Sequence, residues 1–174
     1  MPELVEPTTR LHAAWRAARD DWGPGIHEDG FGLLAKDDVE TQDGFAAWVR
    51  RLLQESDTTV PPAAGRVHST YWWILEGDSL LGAIALRHQV NDLVRQVGQI
   101  GYGIRPSARG RGLAKWALGH ILAKARTQGL DRVLIVCADE NVASARVIEH
   151  HGGVLEEVRD TESGRARRYW VALA

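Results

Sequence analysis

The residues with the most chemical promise are Ile104-Arg105-Pro106-Ser107-Ala108-Arg109-Gly110-Arg111-Gly112-Leu113-Ala114. An apolar stretch stops at a proline, a short basic turn with two glycines follows, and a helical pattern begins. The first N–H groups of a helix have no partner within it, and the helix dipole adds partial positive charge there. Glycines let the main chain approach an anion closely, and Arg109 and Arg111 add formal charge. Such a bend suits a phosphate or a diphosphate. A P-loop needs a Gly-Lys-Ser/Thr ending that is absent. A dinucleotide fingerprint needs a third glycine where Lys115 stands. The pattern that fits is Arg or Gln, two residues, Gly, one residue, then Gly or Ala, met by Arg109, Gly112 and Ala114. A capped helix with solvated arginines is the plain alternative.

Other reactive side chains are better read as structural. Cys137 ends an apolar run with no evident base beside it, so an acyl-cysteine route lacks support. His150 and His151 are adjacent on a helix end and point apart, which argues against a shared metal. No metal is expected. His120 reads as a surface residue. Arg165, Arg167 and Arg168 form a basic run of the kind that is mostly a solvated face.

The elements that must position the bend follow from periodicity. Residues 1–60 read as helical and polar, with Leu11, Ala14, Trp15 and Ala18, then Phe45, Trp48, Val49, Leu52 and Leu53, at helical spacing. Between them lies a glycine- and proline-bearing loop, Trp22 to Gly30. Thr70–Leu75 and Leu80–Leu86, joined at Glu76-Gly77-Asp78, read as a β-hairpin. Gln99–Ile104 is a strand whose glycines, Gly98, Gly101 and Gly103, suggest a bulge or a close backbone approach. A helix runs from about Gly112 to Gln128. Val133–Cys137 is a short buried strand, and a second helix follows Asn141 and stops at Gly152-Gly153. Val154–Val158 and Tyr169–Leu173 are closing strands. This order predicts an α/β (α+β) fold in one domain with a mixed sheet.

The 174 residues suit one domain with a sizeable core. Lys and Arg total 21 against 23 Asp and Glu, so global charge points neither to nucleic acid nor to a membrane surface. The single cysteine forbids an intrachain disulfide and fits a reducing cytoplasm. The N-terminus shows no signal-peptide pattern, and no apolar run is long enough to span a bilayer. Five of the seven tryptophans precede residue 74 and read as core or groove wall.

The bend resembles motif A of the GNAT acetyltransferase superfamily, which binds the diphosphate of coenzyme A. Val133 to Ser144, then Val147-Ile148-Glu149 and Gly152-Gly153, resemble the strand, asparagine and short helix that follow motif A there. The resemblance covers residues about 67–174, and leaves 1–66 as a helical acceptor-side region. Leu86-Arg87-His88 with Asn91, Ile100-Gly101-Tyr102 and Arg168-Tyr169-Trp170 are similar to a bacterial subgroup of largely unassigned substrate. The resemblance implies a mostly antiparallel sheet with splayed central strands, helices on both faces, and acetyl-CoA as co-substrate. It also implies that the Ile104 N–H serves as oxyanion donor and that Arg109, Gly110, Arg111, Gly112, Leu113 and Ala114 bind the diphosphate. Asn141, assisted by Ser144, would meet the pantetheine arm.

The implied reaction is direct attack of a neutral primary amine on the thioester, in a ternary complex. Alkyl amines titrate near ~10.4, so a proton must be removed. The family's tyrosine acid seven residues after the asparagine is Ile148 here, and its glutamate base falls at Gly98-Gln99. His88 is the first candidate base; His27, Glu28 and Asp29 are the second. Tyr102 and Tyr169 are candidate acids, although a thiol near ~8.5 leaves tolerably without one. The acceptor is a small-molecule or peptide amine, and the acids Asp20, Asp21, Glu28, Asp29, Asp37, Asp38 and Glu40 suggest a cationic one. A homodimer is compatible with the sequence. The rivals are a non-catalytic acyl-CoA-binding module and a nicotinamide or flavin oxidoreductase.

Overall fold

The computed structural model describes residues 1–24 and 30–173. Its strands are β1 (Glu3–Val5), β2 (Ser69–Glu76), β3 (Ser79–Arg87), β4 (Ile100–Ile104), β5 (Arg132–Ala138), β6 (Val154–Thr161) and β7 (Gly164–Ala172). They form one sheet in the order β1-β2-β3-β4-β5-β7-β6. Every neighbouring pair is antiparallel except β4 and β5, which run parallel. The helices are α1 (His12–Trp22), α2 (Gln42–Glu55), α3 (Asp92–Val97), α4 (Leu113–Thr127) and α5 (Val142–His150). The expected mixed, mostly antiparallel sheet with helices on both faces is what the chain forms.

Alternation along the strands sorts the core into two layers. Tyr71, Trp73, Ala83 and Ala85 turn to α1 and α2, where they meet Trp15, Phe31, Phe45, Trp48 and Leu52. Trp72, Ile74, Ile84, Leu86, Ile100, Ile135, Tyr169 and Val171 turn to α4 and α5, where Ala117, Leu118, Ile121, Ala145 and Ile148 cover them. The first layer is dense in aromatic rings: Trp15, Trp48 and Trp73 are all at most 1% exposed, and such side chains bury roughly 150–250 Å² each. The indole N–H groups of Trp48 and Trp73 are buried without a partner, a cost of about 1–3 kcal/mol apiece that the ring packing must outweigh.

The structure departs from the sequence expectations at short or charged elements. Residues 3–5, expected within a helical segment, form an edge strand paired with Trp73–Leu75; three residues are too few to carry a period. Helix α3 was not expected. Its six residues are started by Asn91, whose Oδ1 accepts the Val94 N–H at 2.9 Å. Strands β6 and β7 are longer than read, and the arginines lie within β7. Arg167 pairs with Asp139 at 2.7 Å, and buried Arg168 pairs with Glu157 at 3.2 Å. Charge masked the alternation there.

Candidate functional site

Two parallel strands that are neighbours in a sheet ordinarily share a full ladder. β4 and β5 share one pairing, Ile100 with Ile135, and part beyond it. The apex is held by Gln99, which is 1% exposed. Its N–H donates to the Leu134 carbonyl at 2.6 Å, and its side-chain Oε1 accepts the Leu134 N–H at 3.0 Å. Gly98 (φ 86°) lies against β5 so closely that a Cβ there would stand 2.9 Å from the Val136 nitrogen. The glycine needed for close approach therefore serves strand against strand at the apex. Gln99 is a positioning residue that the sequence reading passed over, because it sought a base at that place and found an amide.

The gap beyond the apex is lined by main chain. The Arg87 N–H donates to the Gln99 carbonyl and the Arg105 N–H to the Leu81 carbonyl. In an antiparallel ladder such pairs alternate with pairs whose polar groups turn outward. The N–H and C=O groups of Tyr102 and Ile104 are thereby turned from β3 toward β5. The bonds from Asp139 N–H to Arg165 C=O and from Leu173 N–H to Asp131 C=O fix the same alternation on β5, and turn the Val136 groups toward β4. A sheet opened this way presents two facing rows of main-chain donors and acceptors, which an extended amide-bearing chain can join as a strand would.

The open end of the gap leads to the glycine bend. Arg105 is fastened to α1: its Nε meets Asp21 at 2.9 Å, and Asp21 also accepts from the Ser107 hydroxyl at 2.6 Å and the Ser107 N–H at 3.1 Å. Those bonds, Ser107 first and Arg105 next, hold the Asp21 carboxyl down at about 2. Gly110 (φ 77°) and Gly112 (φ 76°) both take the left-handed conformation, and a Cβ at either would point into open space. Gly112 caps α4 and offers no side chain to its first-turn amides. The amides of Leu113 and Ala114 therefore have no side-chain cap, and the left-handed backbone that leads into them favours glycine. The two arginines are engaged within the protein. Arg109 donates its Nε to the Ile104 carbonyl at 3.0 Å, which sets its guanidinium at the mouth of the gap, and Arg111 reaches Glu76 at 2.7 Å.

Helix α5 supplies the other wall. Asn141 caps it, its Oδ1 accepting the Ser144 N–H at 3.0 Å, so the cap uses the amide oxygen and not Nδ2. The hydroxyls of Tyr102 and Ser144 meet at 2.7 Å, joining β4 to α5 across the gap. Cys137 sits behind them; burial pushes its thiol above the usual value, against a smaller lowering by the Ser144 hydrogen bond. Tyr169, the other candidate acid, is fully buried and donates to Glu149 at 2.9 Å.

His88 follows the end of β3, so β4 stands between it and the gap. Its Nε2 meets the Thr70 hydroxyl at 2.7 Å, on the β2 side. Burial, then the charge of nearby His68, moves its pKa below the ordinary histidine value. The alternative candidates His27, Glu28 and Asp29 lie outside the described residues. Of the acids expected to draw a cation, Asp21 is spent on Arg105, Asp37 on Arg51, and Glu40 on Arg19 and Arg16, while Asp38 braces the start of α2 through Thr41. The suggestion of a cationic acceptor loses these four supports. Among the described residues no group of three His, Cys, Asp or Glu side chains could hold a metal ion, and no helix is long and apolar enough to cross a membrane.

The comparisons agree with this geometry. No curated protein is similar enough in sequence to count as a relative. Solved structures match over nearly the whole chain at low identity, and so speak for the fold. RimL, a ribosomal L7/L12 α-N-protein acetyltransferase in complex with coenzyme A, has a TM-score of 0.73 and 15% identity, with 98% of this chain and 93% of that one covered. The microcin C7 self-immunity acetyltransferase MccE, in complex with acetyl-CoA and AMP, has a TM-score of 0.69 and 14% identity, covering 98% and 92%. A GNAT-family acetyltransferase of unestablished role from Bordetella pertussis has a TM-score of 0.68 and 17% identity, covering 97% and 94%. The family model for the acetyltransferase (GNAT) domain matches residues 34–154, more than half of the sequence and the whole stretch from α2 to α5, and the chain accordingly belongs to the GNAT acetyltransferase family.

Proposed function

We propose that the chain transfers an acetyl group from acetyl-CoA to a primary amine, of a small molecule or a peptide N-terminus, by direct attack within a ternary complex. The observation that carries this reading is the gap between β4 and β5, opening onto the amides of Gly110 to Ala114. The bend and the start of α4 hold the diphosphate, with Arg109 at the mouth. The pantetheine arm runs along the outward groups of Tyr102, Ile104 and Val136, and Asn141 Nδ2 donates to it.

The thioester oxygen is polarised by the Ile104 N–H, with the Tyr102 N–H one pleat nearer the apex. The amine nitrogen forms the new C–N bond as the C–S bond breaks. One proton leaves the nitrogen and one must reach the departing thiolate. The Tyr102 hydroxyl, in contact with Ser144, supplies the second. His88, at the opposite end of β3 from the partner of Ile104, accepts the first through a chain of waters. With no carboxylate at the apex among the described residues, positioning is the main source of rate.

The reading carries a cytoplasmic setting, which the single cysteine fits; a homodimer is compatible with it. The test is release of free coenzyme A thiol over a panel of primary amines, with acetylated amine formed in equal amount. Tight binding without thiol release from any amine supports a non-catalytic acyl-CoA-binding module instead.

A further inference from the structure

A pocket of about 370 Å³ opens at the end of α2, where residues 57–68 lead into β2, and the acyl-transfer reading leaves it without a role. In the sheet, β3 and β4 lie between β2 and the gap. The apolar side of the pocket includes Leu34, Val60, Pro61 and Pro62. Its charged side is Lys36, Arg51, Arg66 and Glu55, the last being the only carboxylate among the described residues that line it.

The loop that forms the apolar side is held by polar bonds. The Thr59 N–H donates to Asp57 Oδ1 at 2.9 Å, His68 Nε2–H donates to the Val60 carbonyl at 2.7 Å, and Asn91 Nδ2 donates to the Gly65 carbonyl at 3.0 Å. The apolar residues at its tip are not used to fasten it. Val60 is 50% exposed, and Pro61 and Pro62 are exposed beside it. Adjacent prolines have a fixed φ and no N–H to satisfy. They make a stiff apolar wall that loses little freedom when something covers it.

The charged side is not balanced. The Arg51 guanidinium donates to Glu55 at 2.7 Å and to Asp37 at 2.6 Å, and Glu55 also accepts the Tyr71 hydroxyl at 2.5 Å. Arg66 comes only within 3.7 Å of Glu55, too far for a hydrogen bond, and Lys36 is exposed. Lys36, Arg51 and Arg66 set against Asp37 and Glu55 leave one positive charge. A carboxylate balances one charge, whereas a phosphate monoester brings close to two at neutral pH. We propose that this pocket binds a small organic carboxylate, its acid group taken by Arg66 and Lys36 and its apolar body laid on Val60, Pro61 and Pro62. The site is separate from the gap and does not depend on the acyl-transfer reading.

The test is calorimetric titration of the whole protein with hexanoate, phenylacetate and 4-phenylbutyrate, each against its neutral amide. At least one acid binds roughly tenfold tighter than its amide. Arg66→Gln and Lys36→Glu each remove most of that preference; Lys36 is exposed, so its substitution keeps the pocket readable should Arg66→Gln disturb Glu55. Val60→Ser weakens the acid about threefold and leaves its advantage over the amide in place. Saturating coenzyme A leaves the acid's affinity unchanged. Three results overturn the proposal: no saturable binding of any of the three acids, equal affinity for acid and amide, or an acid affinity untouched by both charge substitutions. Displacement of the acid by coenzyme A also overturns it, since the acid then lies in the gap. The titration needs no turnover, so a failure to detect acetyl transfer leaves its result standing.

Discussion

Two regions of the same sheet are built by opposite means. Where β2 and β3 face α1 and α2, side chains do everything: Trp15, Phe45, Trp48 and Trp73 interlock, and even two indole N–H groups are sacrificed to packing. Where β4 and β5 part, the ladder stops after one pairing, glycines make the bend, and main-chain donors and acceptors line the opening. The first region lowers the free energy of the folded chain. The second directs main-chain groups into the gap, where the Ile104 carbonyl already accepts from Arg109. A fold can carry such an opening because the aromatic face holds the strands on its far side.

That contrast breaks most visibly if the aromatic face is damaged. Trp73→Ala is expected to cost about 3–5 kcal/mol, lowering Tm by roughly 10 °C, while the remaining folded protein binds acetyl-CoA as before. A large loss of coenzyme affinity in that variant, measured by titration below its Tm, would show that the two regions are not separable. The reverse experiment is Gly112→Val. A β-branched residue at φ 76° is strained and shields the first amides of α4. KM for acetyl-CoA should rise at least about tenfold with kcat little changed, since the amides bind substrate and transition state alike.

Tyr102→Phe keeps the ring and removes the hydroxyl that meets Ser144. Steady-state kinetics should show kcat reduced about tenfold with KM for acetyl-CoA nearly constant. Asp21→Asn loosens the clamp on Arg105 and Ser107 and should raise KM about threefold, as a mispositioned bend would. The Asp21 carboxyl is held at about 2, so the parent clamp persists through ordinary carboxylate titration and opens only as pH falls toward that value.

The smallest effect is expected at His88. Because its pKa is depressed, the unfolded chain takes up a proton first as pH falls, so its contribution to stability declines below the ordinary histidine value. If it accepts the amine proton through water, the acid limb of kcat/KM lies below that value and vanishes in His88→Gln, with less than about threefold loss at pH 8. An unchanged acid limb in that variant removes His88 from the reaction.

Much of this was legible in the residues. The hairpin at 70–86, the helix after Gly112 and the glycine bend each rest on local rules of period, capping and turn chemistry, and the family resemblance lay in the same stretch. The short strand Glu3–Val5 and helix α3 escaped because three or six residues do not establish a period. Strand β7 was read short because Arg165, Arg167 and Arg168 resemble a loop until Asp139, Glu156 and Glu157 are placed beside them.

The sequence alone determined where a diphosphate could be held, since the amides, the dipole and the glycines that expose them are all contiguous in the chain. Tertiary structure decided what depends on distant segments meeting. It parted β4 from β5 beyond Ile100, brought Tyr102 to Ser144, spent Asp21 on Arg105, and set β4 between His88 and the gap. Local conformation is dictated by each residue and its near neighbours, whereas a side chain's chemical use depends on which partners the fold delivers to it.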